Sequence, residues 1–200
     1  MLGRAGSLLS RGILVLLFGA FAWANLSHWR STGEPSGLGI MLLEGWVALM
    51  FLVRRPATEV SFSRLAWIAA PIGTFAMLLG RPAEGGLSPL VCEFVQLAGV
   101  GFALVSLTAL GRSFGFVAAN RGVKTRGPYG LVRHPAYAGY LITYVGFVAE
   151  NPSIRNLALL LVGTTFQLVR IREEEQLLLR DSSYARYRER VRYRLIPLVY

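Results

Sequence analysis

Apolar positions along the chain gather into six runs: Gly12–Trp29, Gly37–Val53, Leu65–Gly80, Leu90–Leu110, Pro135–Ala149 and Ile154–Ile171. A helix that crosses a bilayer needs roughly 17–25 apolar residues, and shorter runs cross with little tilt or extend into the interface. Six transmembrane helices are therefore expected. The fifth and sixth are separated only by Glu150-Asn151-Pro152-Ser153, which predicts a tight helical hairpin. Two segments break the pattern, the loop Gly111–His134 and the tail from Arg172 to Tyr200. In the tail, Leu177, Tyr184, Tyr187 and Val191 recur at steps of seven, three and four, one face of a helix with the arginines mostly off it. That spacing predicts an amphipathic helix lying on the membrane surface, ended by Leu195-Ile196-Pro197. The alternation of Arg186, Arg188, Arg190, Arg192 and Arg194 would suit a strand, but the apolar spacing favours a helix.

Composition supports a membrane location. Of the 200 residues, 54% are hydrophobic and 16% charged, against about 45–50% and about 25% in soluble domains. This excludes a disordered tail protein and argues against a soluble enzyme. The net charge of +10 fits positive loops on an anionic membrane face; no soluble fold is present to carry a nucleic-acid surface. With six spans, 18 of the 21 basic residues fall on one side. Only Arg30, Arg81 and Arg155 fall on the other, so both termini are expected in the cytoplasm, at the inner membrane if the chain is bacterial. Arg4 and Arg11, an apolar run and Ala22-Trp23-Ala24 also resemble a signal peptide, whose cleavage would leave five spans. The expected architecture is an all-α integral membrane protein with a cytoplasmic amphipathic C-terminal helix.

Several chemistries are excluded by what the sequence lacks. One cysteine, Cys92, permits no intrachain disulfide and no multi-cysteine metal site. No HExxH, P-loop, GxGxxG or Ser/His/Asp motif is present, so neither a metal nor a Rossmann-bound cofactor is expected. Two carboxylates, Glu44 and Glu93, lie inside predicted spans, where ionisable groups are functional candidates by default.

The richest stretch runs from Arg126 to Tyr140. Gly127-Pro128 signals a turn, Pro135 suits the first turn of the fifth helix, and Gly139 leaves room for a close approach. Arg133, His134, Tyr137 and Tyr140 thus surround a helix N-terminus at the membrane surface, a place that can bind an anionic group or simply anchor the helix among headgroups. The second constellation is Arg170-Ile171-Arg172-Glu173-Glu174-Glu175. It is either a solvated helix exit or a clamp whose carboxylates accept hydrogen bonds from ribose hydroxyls or an ammonium group. The sixth helix either stops there or continues into the tail. Because the hairpin turn lies on the opposite face, the two constellations are expected to meet on the cytoplasmic side.

Together, Arg133-His134-Pro135-x-Tyr137-x-Gly139, Arg172-x-Glu174-Glu175, Tyr184-x-x-Tyr187 and Leu195-Ile196-Pro197 resemble the isoprenylcysteine carboxyl methyltransferase family over the last 90 or so residues. Gly99-Val100-Gly101 is similar to the glycine motif of the related phospholipid N-methyltransferases, although a GxG in a membrane helix is commonly a packing device. The resemblance implies a methyltransferase core at 111–200 behind four N-terminal helices at 1–110. It also implies S-adenosylmethionine bound between the hairpin and the tail. His134, Pro135, Tyr137 and Gly139 would lie at the cofactor's amino-acid end, and Glu174 and Glu175, with Glu173 as an alternative, would hold its polar groups. Family members usually carry Phe-Gly before the tyrosine pair; here Arg180-Asp181-Ser182-Ser183 stands in a shorter stretch, which leaves the glutamate register open by one residue.

The expected reaction is methyl transfer to a lipophilic small molecule arriving from the bilayer, an isoprenylcysteine-like carboxylate or another small lipid. A carboxylate acceptor needs an orienting cation, and Arg133 and Arg170 are the local candidates. Alternatives are a phospholipid N-methyltransferase, whose amine must lose a proton, a nicotinamide-dependent membrane reductase and a non-enzymatic membrane protein. Related reductases have asparagine and glutamate where Ala136 and Tyr140 stand here, which favours methyl transfer. The other expected partners are membrane lipids; the sequence is silent on oligomeric state.

Overall fold

The computed structural model describes residues 4–199. Helices form at all six apolar runs: α1 (Arg4–Thr32), α2 (Pro35–Val53), α3 (Arg64–Phe75, extended by a 3₁₀ turn over Ala76–Leu79), α4 (Pro89–Leu110), α5 (Pro135–Glu150) and α6 (Ile154–Leu178). Among the described residues, four are long and apolar enough to cross a bilayer: α1, α2, α4 and α6. The apolar stretch Arg64–Leu79 is shorter, and α5 spans 16 residues. α1 runs unbroken through Ala22-Trp23-Ala24, and its Phe18 is buried against Phe51. The outer faces carry exposed Leu16, Trp23, Leu90, Phe94 and Leu161, as lipid contact requires.

Small residues set the closest helix contact. A Cβ added at Gly139 would lie 2.7 Å from the Ala103 nitrogen, and one at Gly99 would lie 2.6 Å from the Thr143 nitrogen. α4 and α5 therefore approach backbone to backbone, the small-residue packing used where lipid tails offer no hydrophobic drive. This answers two sequence questions. Gly99 is a packing residue, and Gly139 makes room for α4.

The hairpin turn is present, but its helices do not pair closely. α5 packs along α4, and α6 packs along α3. At the turn, Ser153 caps α6 by accepting from the Asn156 nitrogen. The fully buried Asn156 amide donates to the carbonyls of Arg81 and Asn151 and accepts from the Arg81 nitrogen. Pinned there and drawn to different partners, α5 and α6 leave a cavity between them. The tight hairpin expected from the short turn is corrected to a splayed one.

The loop after α4 contains the only described strand pairing, a two-residue antiparallel bridge of β1 (Glu59–Val60) with β2 (Ala119–Asn120), Glu59 facing Asn120. It ties this loop to the α2–α3 linker.

The tail differs from its sequence reading. α6 continues through the three glutamates to Leu178, and a separate short helix, α7 (Ser182–Arg190), follows, capped by the Asp181 carboxylate on the Ser183 nitrogen. From Val191 the chain is no longer helical and lies along Arg133 and His134, whose backbone nitrogens donate to the carbonyls of Tyr193 and Arg194 at 2.9 and 2.8 Å. The expected single helical face is corrected: Leu177 belongs to α6, only Tyr184 and Tyr187 share α7, and Val191 follows it; Tyr184, Tyr187 and Val191 are buried against Tyr129, not laid on lipid. Tyr200, the last residue of the expected tail, lies outside the described residues.

Candidate active site

One carboxylate organises the polar end of the bundle. Glu175, 3% exposed, accepts from Arg133 Nε at 2.6 Å, His134 Nε2 at 3.2 Å and Tyr184 Oη at 3.3 Å on one oxygen, and from Arg194 Nε at 2.9 Å on the other. A buried charge is tolerated only when paired and hydrogen-bonded, and here both conditions hold. Arg133 is equally occupied: its Nη1 also donates to the carbonyls of Val191 and Arg192. The two constellations on either side of the hairpin therefore meet, as the hairpin topology predicted. Their meeting point fastens α5, α6 and the tail together.

Beside this hub lies a cavity of about 370 Å³, within the size range of small-molecule and cofactor sites. α2, α4, α5, α6, the loop 111–134 and α7 all contribute to its wall. Glu174 faces it and accepts from Tyr137 Oη at 3.3 Å. Arg170 faces it too, with Nη1 donating to Thr74 Oγ1 and Nη2 to the Gly115 carbonyl, each at 3.1 Å. The Arg170 guanidinium lies 5.3 Å from the Tyr137 ring centre and 5.6 Å from that of Phe116, a cation–π arrangement, and its buried Nε has no hydrogen-bond partner. Glu44, from α2, is on the wall with one buried oxygen unpartnered.

The phenols of α7 close the site on the tail side. Burial pushes the Tyr184 hydroxyl well above its ordinary pKa, with Glu175 adding to the effect. Tyr187 is pushed up to about 12 by burial, and its hydroxyl donates to the Tyr129 carbonyl at 2.7 Å. Both stay neutral donors at physiological pH.

The structure sorts the sequence candidates. Arg133, His134, Tyr137, Arg170 and Glu174 reach the cavity wall. Pro135 is fully buried at the first turn of α5, and Gly139 faces α4, so neither lines the cavity. Glu175 lies behind the wall in the hub, and Glu173 turns outward toward the groove beside Glu59 and Arg180. The open glutamate register thus becomes three distinct environments. Glu93 accepts from the Ser36 nitrogen at 2.9 Å and so caps the start of α2. Sequence reasoning did not foresee the wall contributions of Arg121, Gln167 and Phe116 or the backbone carbonyls of the tail. None of these residues stands in a local motif that would have flagged it.

The phospholipid methyltransferase family matches residues 91–185, just under half of the chain. No curated protein matches the sequence. Among solved structures, the eukaryotic intramembrane Ras methyltransferase, isoprenylcysteine carboxyl methyltransferase, superposes with a TM-score of 0.51 at 18% identity, covering 98% of this chain and 77% of its own. Both similarities are to methyltransferases, in line with the preference for methyl transfer over the reductase alternative. The matched segment contains the splayed hairpin, Arg133, His134 and Glu175 of the hub and the cavity-facing Glu174, while the shared fold extends along nearly the whole chain. The chain thus shares a segment with the phospholipid methyltransferase family and an overall fold with isoprenylcysteine carboxyl methyltransferase, and the two together support a membrane methyltransferase.

Proposed function

We propose that the chain transfers a methyl group from S-adenosylmethionine to a lipophilic acceptor entering from the bilayer, at a site on the cytoplasmic side. The observation that carries this reading is the cavity held open between α5 and α6, with Glu174 and Arg170 on its wall. The residues present fit the cofactor. Glu174 offers a carboxylate for ribose hydroxyls or an ammonium group, and the aromatic rings of Tyr137 and Phe116 offer faces for a cation or a base. Bound S-adenosylmethionine supplies an already activated methyl group, so the protein need chiefly align the partners and exclude water. Such positioning is worth about 7–11 kcal/mol in favourable cases.

In this reading Tyr137 holds Glu174 in place by its hydrogen bond, and His134 closes the same end of the cavity. Pro135 and Gly139 act by setting the start and the depth of α5, and Glu175 by fixing Arg133 and the tail. Arg170 is the cation that orients a carboxylate acceptor such as an isoprenylcysteine. Its unpartnered Nε leaves a donor to spare, whereas Glu175 and the tail carbonyls engage Arg133. A second reading rests on Glu44: an unpaired carboxylate oxygen on the cavity wall suits an ammonium or takes a proton, as an amine acceptor such as a phospholipid headgroup would require.

Calorimetric titration with S-adenosylhomocysteine tests the cofactor site. Detergent-purified wild type is expected to bind and Glu174→Ala to lose binding while remaining folded. Failure of well-folded wild type to bind would sink the proposal. Methyl transfer to a prenylated cysteine thioether acid, set against phosphatidylethanolamine, then separates the two acceptors.

A further inference from the structure

Three arginines from separate segments approach the buried Phe51–Phe114 cluster, and one of them, Arg121, lines the cavity. Arg11 lies near the start of α1, Arg54 directly follows α2, and Arg121 belongs to the loop after β2. Each is partly buried. Arg54 is lowered to about 10, first by burial and then by Arg121 and Arg11. Arg121 is also lowered, by burial and by Arg11, against an opposing pull from Glu174. The packing places them together as well: Phe51, under Arg54, lies 5.0 Å from the Phe114 ring, the adjacent Gly115 abuts the Arg121 guanidinium, and Leu14, one turn after Arg11, packs on the same cluster. Among the described residues, none of the three side chains has a carboxylate in an ion pair.

Two further observations mark the cluster as incomplete. The Nε atoms of Arg11 and Arg121 are buried and have no hydrogen-bond partner. About nine in ten buried polar groups do find one, so each exception needs a reason. The Arg121 guanidinium lies close over Gly115, where a Cβ would meet it. Arg54 lies over the Phe51 ring, 5.2 Å from its centre. The carbonyl end of α2 favours a cation, but only by a fraction of a charge, and Arg112 already donates to the Val53 carbonyl there. The fold thus brings three like charges together and leaves two donors unused. An anion among them would offset the repulsion and engage those donors.

We infer that Arg11, Arg54 and Arg121 form a binding site for a phosphate group, bordering the cavity on the wall supplied by Arg121. Guanidinium groups match phosphate oxygens in paired hydrogen bonds, and arginine is the usual residue for such recognition. The cluster lies at the end of the bundle that carries most of the positive charge, the end expected at the anionic leaflet. The phosphate therefore comes from an anionic phospholipid headgroup or from a soluble phosphate. The inference does not depend on which acceptor is methylated.

The test uses the full chain, purified in detergent and stripped of lipid. Thermal unfolding is followed with added phosphatidylglycerol, phosphatidylcholine or inorganic phosphate, and native mass spectrometry counts retained lipid. Wild type and the control Arg188→Gln, which changes an exposed arginine of α7, are expected to be stabilised by phosphatidylglycerol. Arg54→Gln and Arg121→Gln are each expected to weaken that response about fivefold, the order expected for one basic residue at an anionic surface. Without any anion, both variants are expected to melt at or above the wild-type temperature, because a like charge has been removed. An equal response to inorganic phosphate would assign the soluble source. Wild type indifferent to every anion, or both variants responding as wild type does, would overturn the inference. So would loss of stability in both variants when no anion is present.

Discussion

At the scale of the residue, three consecutive glutamates with the same chemistry have three different environments. Helical geometry turns each about 100° from the last, so Glu173 faces the outer groove, Glu174 the cavity and Glu175 the hub. Substitutions should separate them. Glu175→Ala leaves Arg133 and the neighbouring cations without their buried partner and is expected to destabilise the protein by about 3–5 kcal/mol, read in chemical or thermal unfolding. Glu174→Ala should leave the unfolding midpoint nearly unchanged and abolish S-adenosylhomocysteine binding. Equal stability losses in the two would show that the hub assignment is wrong. The motif letters were legible in the sequence, and their meeting across the hairpin followed from topology. Which glutamate faces which way depends on the rotation of α6 against α3 and the tail, which no local spacing encodes.

At the scale of the element, α5 is placed by what it lacks. The α4 backbone sits where side chains at Gly139 and Gly146 would be: a Cβ at Gly146 would lie 2.8 Å from Gln96 Cγ. Gly139→Ala is expected to cost about 1–3 kcal/mol by overpacking and to lower the melting temperature. Gly101→Ala is the matched control, since a Cβ there meets nothing within 4 Å. α7 is held in a different way, by phenols that must stay protonated. Tyr187 has a folded-state pKa of about 12 against about 10 in an unfolded chain. Its contribution to stability is therefore whole below about pH 10 and is lost as pH rises through 12. Unfolding midpoints measured from pH 9 to 12 should fall less steeply for Tyr187→Phe than for wild type; parallel slopes would contradict this docking. The apolar spacing placed Tyr184 and Tyr187 on one helical face, as found, but put Leu177 and Val191 on the same helix, which the break between α6 and α7 corrects. The partner of this tyrosine pair, Tyr129, lies 55 residues before Tyr184 in the chain, and only folding brings the two together.

At the scale of the whole molecule, the helix order collects the basic residues at one end. Arg54, Arg112 and Arg133 lie at helix ends, Arg121 in the loop after β2, and Arg11 and Arg170 inside α1 and α6 on the same side, while His28 pairs with Glu34 at the other end, 3.0 Å apart. This basic end is the one expected in the cytoplasm. A thiol probe that does not cross membranes should label a cysteine placed at Arg155 from outside and one placed at Arg188 only after the membrane is opened, in a Cys92→Ser background. The reverse pattern would invert the topology and move the proposed site to the other face.

The sequence by itself determined that each of the six apolar runs forms a helix and that the two polar constellations meet at one end of the bundle. These depend on composition, run length and chain order, all local or additive along the chain. Only the tertiary structure decided that the hairpin splays and so holds a cavity, that the tail leaves its helix after Arg190 to pair with Arg133 and His134, and that Gly139 serves helix packing. Each of these is a competition between partners far apart in sequence. α6 meets α3 rather than α5, and the backbone after α7 finds donors at the start of α5. Such choices turn on the shape and burial of surfaces that exist only once the bundle has assembled.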